Sequence, residues 1–485
     1  MEYFLTARDL TFRYFEKGGH VILDHVDFDL PKGKTIVLLG KSGSGKSTLL
    51  SVLGGLYPEN GGILLSGEIE ICGKPLPKLR FGERASYVSE MFQNPDLQFC
   101  MDTLRKEMIF CLENISRPRE EMDGRVDAFA KAMKIEKLLD QPIHSLSGGE
   151  KQKAALCCLL LLDSKGIFLD EPFANLDERS AGELQEILKK HQREQGTTIL
   201  AIDHRIDLWL PYADEFWILG EKGRILKKGI TRDNWREYRQ LFLEQGLFYP
   251  HEKKRFHEEE KTETLLSMEN LTICRGKSGE ALLLKAHAEI PKQKFTALLG
   301  PSGCGKTTLF SAILGQKKYG GSILLEGQEL RKMKSKLRFR KIGTVFQNPS
   351  NQFLSTRVLE EVLVSLKVWN PKAEEQALTK EALSMLDSYQ LKAYQKYSPY
   401  MLSQGQQRRL AVLSILAGGQ KLLLLDEPTY GQDYASTTAI MEQLRRLVKE
   451  EGLTVLFTTH DRQLAAEYAD RIYEVEGKEL RRWKD

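Results

Sequence analysis

The chain lacks any long apolar run. The longest, residues 154–162, falls far short of the ~20 residues that a membrane-spanning helix needs. It also lacks a dominant charge. Its 71 basic and 67 acidic residues leave a net +4, which gives no support for a surface that coats nucleic acid, and no nucleic-acid partner is expected. Seven cysteines are scattered without a C-x-x-C pair, so neither a zinc site nor a disulfide framework is legible. Cys157-Cys158 falls in an apolar helical stretch and reads as core packing. The opening residues Met1-Glu2-Tyr3-Phe4 show no basic-then-apolar leader pattern. The expectation is a cytosolic chain that reaches a membrane only through a partner.

What the chain does contain, it contains twice. Gly40-Lys41-Ser42-Gly43-Ser44-Gly45-Lys46-Ser47 and Gly300-Pro301-Ser302-Gly303-Cys304-Gly305-Lys306-Thr307 both fit the phosphate-loop pattern G-x-x-x-x-G-K-[ST]. Each follows an apolar run that reads as a strand (Thr35-Ile36-Val37-Leu38-Leu39; Phe295-Thr296-Ala297-Leu298-Leu299) and precedes a stretch that reads as a helix. Later landmarks recur at nearly the same offset: Phe-Gln-Asn-Pro around Gln93 and Gln347, Leu-Ser-x-Gly at Ser147 and Ser403, Asp-Glu-Pro at Asp170 and Asp426, and His204 and His460. Serine to aspartate is 23 positions in both halves, and aspartate to histidine is 34 in both. Constant spacing over this length means two similar domains rather than a solenoid of ~20–50-residue repeats.

With 485 residues there is room for two or three domains. The expected boundaries are a first domain at 1–250, closing on a helix over 233–246, a charged linker at 251–264 and a second domain at 265–485. Unbroken apolar runs before the phosphate loop, the Asp-Glu pair and the histidine predict a parallel sheet covered by helices on both faces, an α/β fold. A basic run at 331–341 reads as a solvated face, with lipid headgroups and then RNA as successively weaker alternatives. Cys304 reads as a tolerated small residue in the loop, with an oxidation-sensitive thiol as the alternative.

The residue types assign themselves to ATP chemistry. Gly40, Gly43 and Gly45, and Gly300, Gly303 and Gly305, let the backbone wrap a phosphate with its N–H groups and the next helix N-terminus facing the anion. Ser42, Thr48, Ser302 and Thr308 complete the two loops. Lys46 and Lys306 supply a cation to the β- and γ-phosphates, and Ser47 and Thr307 offer a hydroxyl to Mg²⁺. Asp170 and Asp426 end aliphatic strands, where a carboxylate can hold the metal directly or through water. Glu171 and Glu427 are the choice for orienting and activating the attacking water, and His204 and His460 for contacting the γ-phosphate.

Leu-Ser-x-Gly ahead of a basic, Gln-rich helix (Glu150-Lys151-Gln152-Lys153; Gln406-Gln407-Arg408-Arg409) narrows the class. Over nearly its whole length the chain resembles the ATP-binding-cassette (ABC) ATPases. The resemblance implies two phosphate-loop nucleotide-binding domains, each with a parallel core, an antiparallel β subdomain and a helical subdomain that carries the signature. It implies head-to-tail pairing of the two, with the first loop facing Ser403 and Gly405 and the second facing Ser147 and Gly149. It also implies Mg²⁺ held at Ser47, Gln93 and Asp170 and at Thr307, Gln347 and Asp426, and adenine stacked on Tyr14. Arg275 aligns with Tyr14, so the first site is expected to bind ATP better while both hydrolyse it. Glu150 and Gln404 depart from the family's usual Gln and Gly.

The strings Phe-Gln-Asn-Pro-Asp-Leu-Gln-Phe (92–99) and Phe-Gln-Asn-Pro-Ser-Asn-Gln-Phe (346–353), each trailed by a segment with acids among apolar residues, are similar to those of energy-coupling-factor (ECF) transporter ATPases. That likeness implies vitamin or micronutrient import of the thiamine-precursor type. It implies a transmembrane coupling subunit, a substrate-binding membrane subunit, and a peripheral place on the cytoplasmic face of the cell membrane. The competing readings are a segment that merely packs the helical subdomain, the ATPase of a sugar importer, and a soluble ribosome-associated tandem ATPase.

Overall fold

A computed structural model describes residues 2–14, 20–41, 43–173, 176, 178–247, 262–275, 279–301, 303–346, 349–429 and 434–483. Ser42, Ser302 and Gln347, and most of the expected linker, lie outside them. The chain divides into two compact units near residue 250.

In the first unit six strands form one sheet in the order Ile225–Ile230, Glu215–Leu219, Thr35–Leu39, Thr198–Asp203, Gly166–Asp170, Val88–Met91. Every pairing is parallel except that of the edge strand Ile225–Ile230. Thr35–Leu39, Gly166–Asp170 and Thr198–Asp203 are buried at every position, as a sheet covered on both faces requires. Alternation then divides their side chains: Ile36 and Leu38 join one core and Val37 and Leu39 the other. A second, antiparallel sheet runs in the order Val21–Pro31, Tyr3–Arg13, Ile63–Ile71, Lys74–Pro75. Helices Leu104–Asn114, Arg119–Met133 and Gly148–Leu161 build a third layer around Met108, Leu112, Val126, Ala154, Cys157 and Cys158. Burial pushes the Cys157 thiol up to about 12, in keeping with a packing role.

The second unit repeats the plan. Its six-stranded sheet has the order Ile342–Val345, Leu422–Leu425, Thr454–Thr459, Phe295–Leu299, Arg471–Glu476, Glu479–Arg482, beside an antiparallel sheet built on Thr264–Cys274 and Ala281–Pro291. Helices Val358–Trp369, Glu375–Ser388 and Gln404–Leu416 form its helical layer.

Three local expectations need correction. The helix expected over 233–246 is instead a 3₁₀ turn, Trp235–Tyr238, followed by a short helix, Arg239–Glu244, held down by Trp235, Phe242 and Leu247. Thr264, expected to end the linker, already opens a strand. The basic run is not uniformly solvated. Arg338 is buried and donates to the carbonyls of Leu314, Leu330 and Met333, so it ties three turns together, while Lys332, Lys334 and Lys336 stay exposed.

Candidate functional site

Both phosphate loops pass from a buried strand into a helix, Lys46–Leu53 or Lys306–Ile313. Gly45 and Gly305 cap these helices at φ +94° and +109°. A Cβ at Gly45 would also meet the Ile22 carbonyl at 3.2 Å, so glycine is required there for both conformation and space. Lys46 folds over its own loop, its Nζ 2.6 Å from the Gly40 carbonyl and 2.9 Å from that of Lys41. Lys306 does the same, at 2.6 Å from Gly300 and 3.2 Å from Pro301. The two ammonium groups are thereby held against the loop carbonyls in the same way in both units.

The Asp-Glu pairs lie opposite. Glu171 and Glu427 both adopt φ +47°, which turns each carboxylate away from that of the preceding aspartate. Asp170 is hydrogen-bonded to Ser47, and Thr307 Oγ1 lies 2.7 Å from Asp426 Oδ2. Each hydroxyl–carboxylate pair is a set of hard oxygens, the donors Mg²⁺ prefers. Among the described residues no three His, Cys, Asp or Glu side chains converge into a metal cluster. The hydroxyl and carboxylate oxygens suit Mg²⁺, which commonly binds through one or two protein oxygens together with phosphate and water. The Gln93 amide is turned to Glu171, Nε2 to Oε2 at 3.0 Å.

His204 Nδ1 lies 3.6 Å from Glu171 Oε1, and His460 Nδ1 lies 3.1 Å from Glu427 Oε2. Burial opposes ionisation of Glu171, but His204, Lys46 and Gln93 outweigh it and hold the carboxyl below its usual range. Burial likewise opposes, and His460 and Lys306 outweigh, at Glu427. Both glutamates are thus charged at neutral pH and suited to accept a hydrogen bond from water. Burial raises Asp170 to about 6, against its bond to Ser47 and with Glu171 and Asp203 adding to the rise. The Cys304 thiol is raised by burial, which favours the tolerated-residue reading over a reactive thiolate.

Tyr14 stands edge-on to Phe12 and Tyr57, its hydroxyl 2.6 Å from Thr48 Oγ1, and leaves 37% of its surface open beside the loop. Arg275 holds the matching place by donating to the Gly303 carbonyl at 3.1 Å. A cleft of about 390 Å³ opens there between Arg275, Leu282, Lys306, Thr307, Lys317 and Glu427.

Ser147 and Ser403 are the N-caps of the signature helices, each in a reciprocal capping box. Glu150 fills the box as Gln406 does: its Oε2 accepts from Ser147 N at 2.8 Å, and Gln406 Oε1 accepts from Ser403 N at 2.9 Å. The departure at Glu150 therefore keeps the local geometry. Gly149 and Gly405 lie in the first turn of these helices.

Four residues that touch these sites carry no motif. They are Glu90, Asp203, Arg408 and Thr458, and each differs from its counterpart in the other unit. Their signal lies in the mismatches between the repeats, whereas motif reading attends to the matches.

The sequence profile of the ABC transporter family matches residues 23–174 and 283–430. A protein of Bacillus subtilis (strain 168), named provisionally as the HMP/thiamine import ATP-binding protein YkoD, is 36% identical over an alignment that covers 96% of this chain and 89% of that protein. A Methanosarcina mazei protein, named provisionally as an ABC transporter ATP-binding protein, is 32% identical over 96% of this chain and 86% of its own length. Among solved structures, the complex of the archaeal ribosomal stalk protein aP1 with the ribosome recycling factor aABCE1 aligns at TM-score 0.65 and 21% identity, covering 98% of this chain and 89% of that one. At that identity the likeness speaks to fold alone.

Proposed function

The chain belongs to the ABC transporter family and is an ATPase, and from that premise we propose that it energises import of a vitamin-class micronutrient through an ECF-type membrane complex. Its place would be peripheral, on the cytoplasmic face. Among the described residues no helix is long and apolar enough to cross a membrane, so attachment would rest on membrane subunits.

In this reading Lys46 and Lys306 hold the β- and γ-phosphates, and the loop N–H groups and helix N-termini spread the remaining charge. Glu171 and Glu427 orient the attacking water, while His204 and His460 hold the far side of the γ-phosphate. Mg²⁺, held by Ser47 and Asp170 or by Thr307 and Asp426, would neutralise charge that develops on the phosphates. Tyr14 offers the adenine platform.

The observation that carries the coupling assignment is an apolar surface beside the glutamine segment of the second unit. Leu354 is 81% exposed, Met401 72% and Tyr400 58%, and Phe353 meets Tyr400 edge-on at 6.1 Å. The buried Glu361 fixes this turn by accepting from Leu354 N and Ser355 N, at 2.9 and 2.7 Å. Large apolar side chains held out to water on a rigid frame suit an apolar helix of a membrane subunit. The provisional name of the Bacillus subtilis relative supports the cargo class.

The test is a double substitution, Leu354→Glu with Met401→Glu. The variant is expected to bind nucleotide yet fail to recover membrane subunits from gently solubilised membranes. Undiminished recovery would overturn the docking assignment.

A further inference from the structure

The two phosphate-loop sites carry the same working residues inside walls of opposite charge. Superimposing the repeats sets Glu90 against Thr344, Asp203 against Thr459, Gln152 against Arg408, and Tyr57 against Lys317. In the first unit this adds two carboxylates to Asp170 and Glu171. Asp203 is enclosed at its strand end, with Oδ1 3.7 Å from His204 Nδ1 and Oδ2 accepting from Trp209 Nε1 at 2.8 Å. Glu90, on the neighbouring strand, accepts from Ser51 Oγ at 2.7 Å and is close enough to Asp170 for the two charges to interact. Asp203 thus borders His204, and Glu90 lies within range of Asp170, which adds two carboxyl groups to the neighbourhood of the Asp-Glu pair. Arg205, next in sequence, is engaged with Asp207 at 2.6 Å.

In the second unit the corresponding strand positions are uncharged. These are Thr344 and Thr459; one residue before Thr459, in the place of Ile202, the Thr458 hydroxyl lies 2.7 Å from Asp426 Oδ1 and accepts from Glu427 N at 2.9 Å. Cations stand where the first unit has neutral groups. Arg275 and Lys317 line the cleft with Lys306, in the places of Tyr14 and Tyr57. Arg408, 3% exposed on the signature helix, donates to the Glu427 carbonyl at 2.8 Å. Burial lowers its pKa to about 10, against the pull of Glu427 and Asp426, so it stays charged at neutral pH.

A nucleotide brings several negative charges into whichever site it enters. At the first site that charge meets Asp170, Glu171 and Asp203, with Glu90 adding only about half a charge near pH 7, and much of the compensating cation must come with the nucleotide. At the second site it meets three cations beyond the loop lysine, of which Arg408 is buried and little screened, Lys317 half-buried and Arg275 exposed.

We propose that the two sites differ in their demand for magnesium: the first unit binds nucleotide only with the metal, and the second retains nucleotide without it because Arg275, Lys317 and Arg408 supply the charge in place. This rests on the ATPase reading of the chain. Arg408 acts here as a positioning residue, through the Glu427 backbone and by its field, without touching the nucleotide.

The experiment is equilibrium binding of ADP, which is not turned over, to the full chain with excess Mg²⁺ and with EDTA. Lys46→Ala and Lys306→Ala identify which site is filled. Two ADP per chain are expected with Mg²⁺ and one with EDTA, the latter surviving Lys46→Ala and lost in Lys306→Ala. Arg408→Gln should weaken the EDTA-resistant binding at least tenfold, and Arg408→Lys should restore most of it. A purely structural role would leave the ratio of Mg²⁺ to EDTA affinities unchanged. Equal loss of both sites on chelation, or survival of the first site instead, would overturn the proposal while leaving the ATPase reading intact. Those two outcomes need no substitution at Arg408. Absence of ADP binding even with Mg²⁺ would sink both.

Discussion

The amide of Gln93 donates to the carboxylate of Glu171 at 3.0 Å, and so ties the Phe-Gln-Asn-Pro segment to the residue assigned to the attacking water. The same segment is joined to the signature helix, because Lys151 Nζ lies 2.6 Å from Asp96 Oδ1. In the second unit Ser350 Oγ and Gln407 Oε1 make the corresponding tie at 2.7 Å with uncharged groups. A shift of this segment therefore changes the setting of Glu171.

Gln93→Ala removes one of the groups that hold the Glu171 carboxylate. Steady-state ATP turnover should fall by about tenfold with little change in KM, since one hydrogen bond to a charged group is worth roughly 1.5–3 kcal/mol. Unchanged turnover would mean that the contact is incidental.

Glu171→Gln together with Glu427→Gln keeps size and shape but withdraws the charge that accepts from water. The double variant should bind ATP at wild-type affinity and hydrolyse it at least about a hundredfold more slowly, read by phosphate release. Rapid hydrolysis would refute the role given to both glutamates.

Glu90 makes the first unit's stability depend on pH. Burial raises its carboxyl from the ordinary 4.5 to about 7. Below pH 4.5 both folded and unfolded chains hold the proton. Between pH 4.5 and 7 the unfolded chain releases it first, so folding stability is lost across that window, by about 3 kcal/mol at most. Glu90→Gln should therefore raise stability at pH 8, leave it nearly unchanged at pH 5, and flatten the profile in urea unfolding. A loss of stability at pH 8 would contradict the burial argument.

Arg338→Ala deletes three buried hydrogen bonds to backbone carbonyls and should destabilise the second unit by about 3 kcal/mol, whereas Lys332→Ala on the same run should change it by less than about 0.5 kcal/mol. Chemical denaturation of the two variants compares them directly.

The fold class was legible because unbroken apolar strands and a duplicated spacing admit few alternatives. Lys46, Asp170, Glu171 and His204 are far apart in sequence, and the spacing shared with Lys306, Asp426, Glu427 and His460 marked them before any geometry was known. What escaped depends on tertiary neighbours. Nothing local distinguishes Arg338 from Lys336 until the carbonyls of Leu314 and Leu330 close around it. Asp203 looks like a polar strand end until Trp209 and His204 enclose it. The helix expected over 233–246 broke because Trp235 and Phe242 must both reach the core across a tight turn.

The central claim, that this tandem ATPase drives a membrane importer, is tested most directly by purifying the tagged chain from gently solubilised membranes of its own host and identifying what accompanies it by mass spectrometry. The expected result is a helical membrane scaffold together with one or more strongly hydrophobic binding subunits. Ribosomal proteins in their place, with the chain absent from membranes, would contradict the importer assignment and leave only the ATPase.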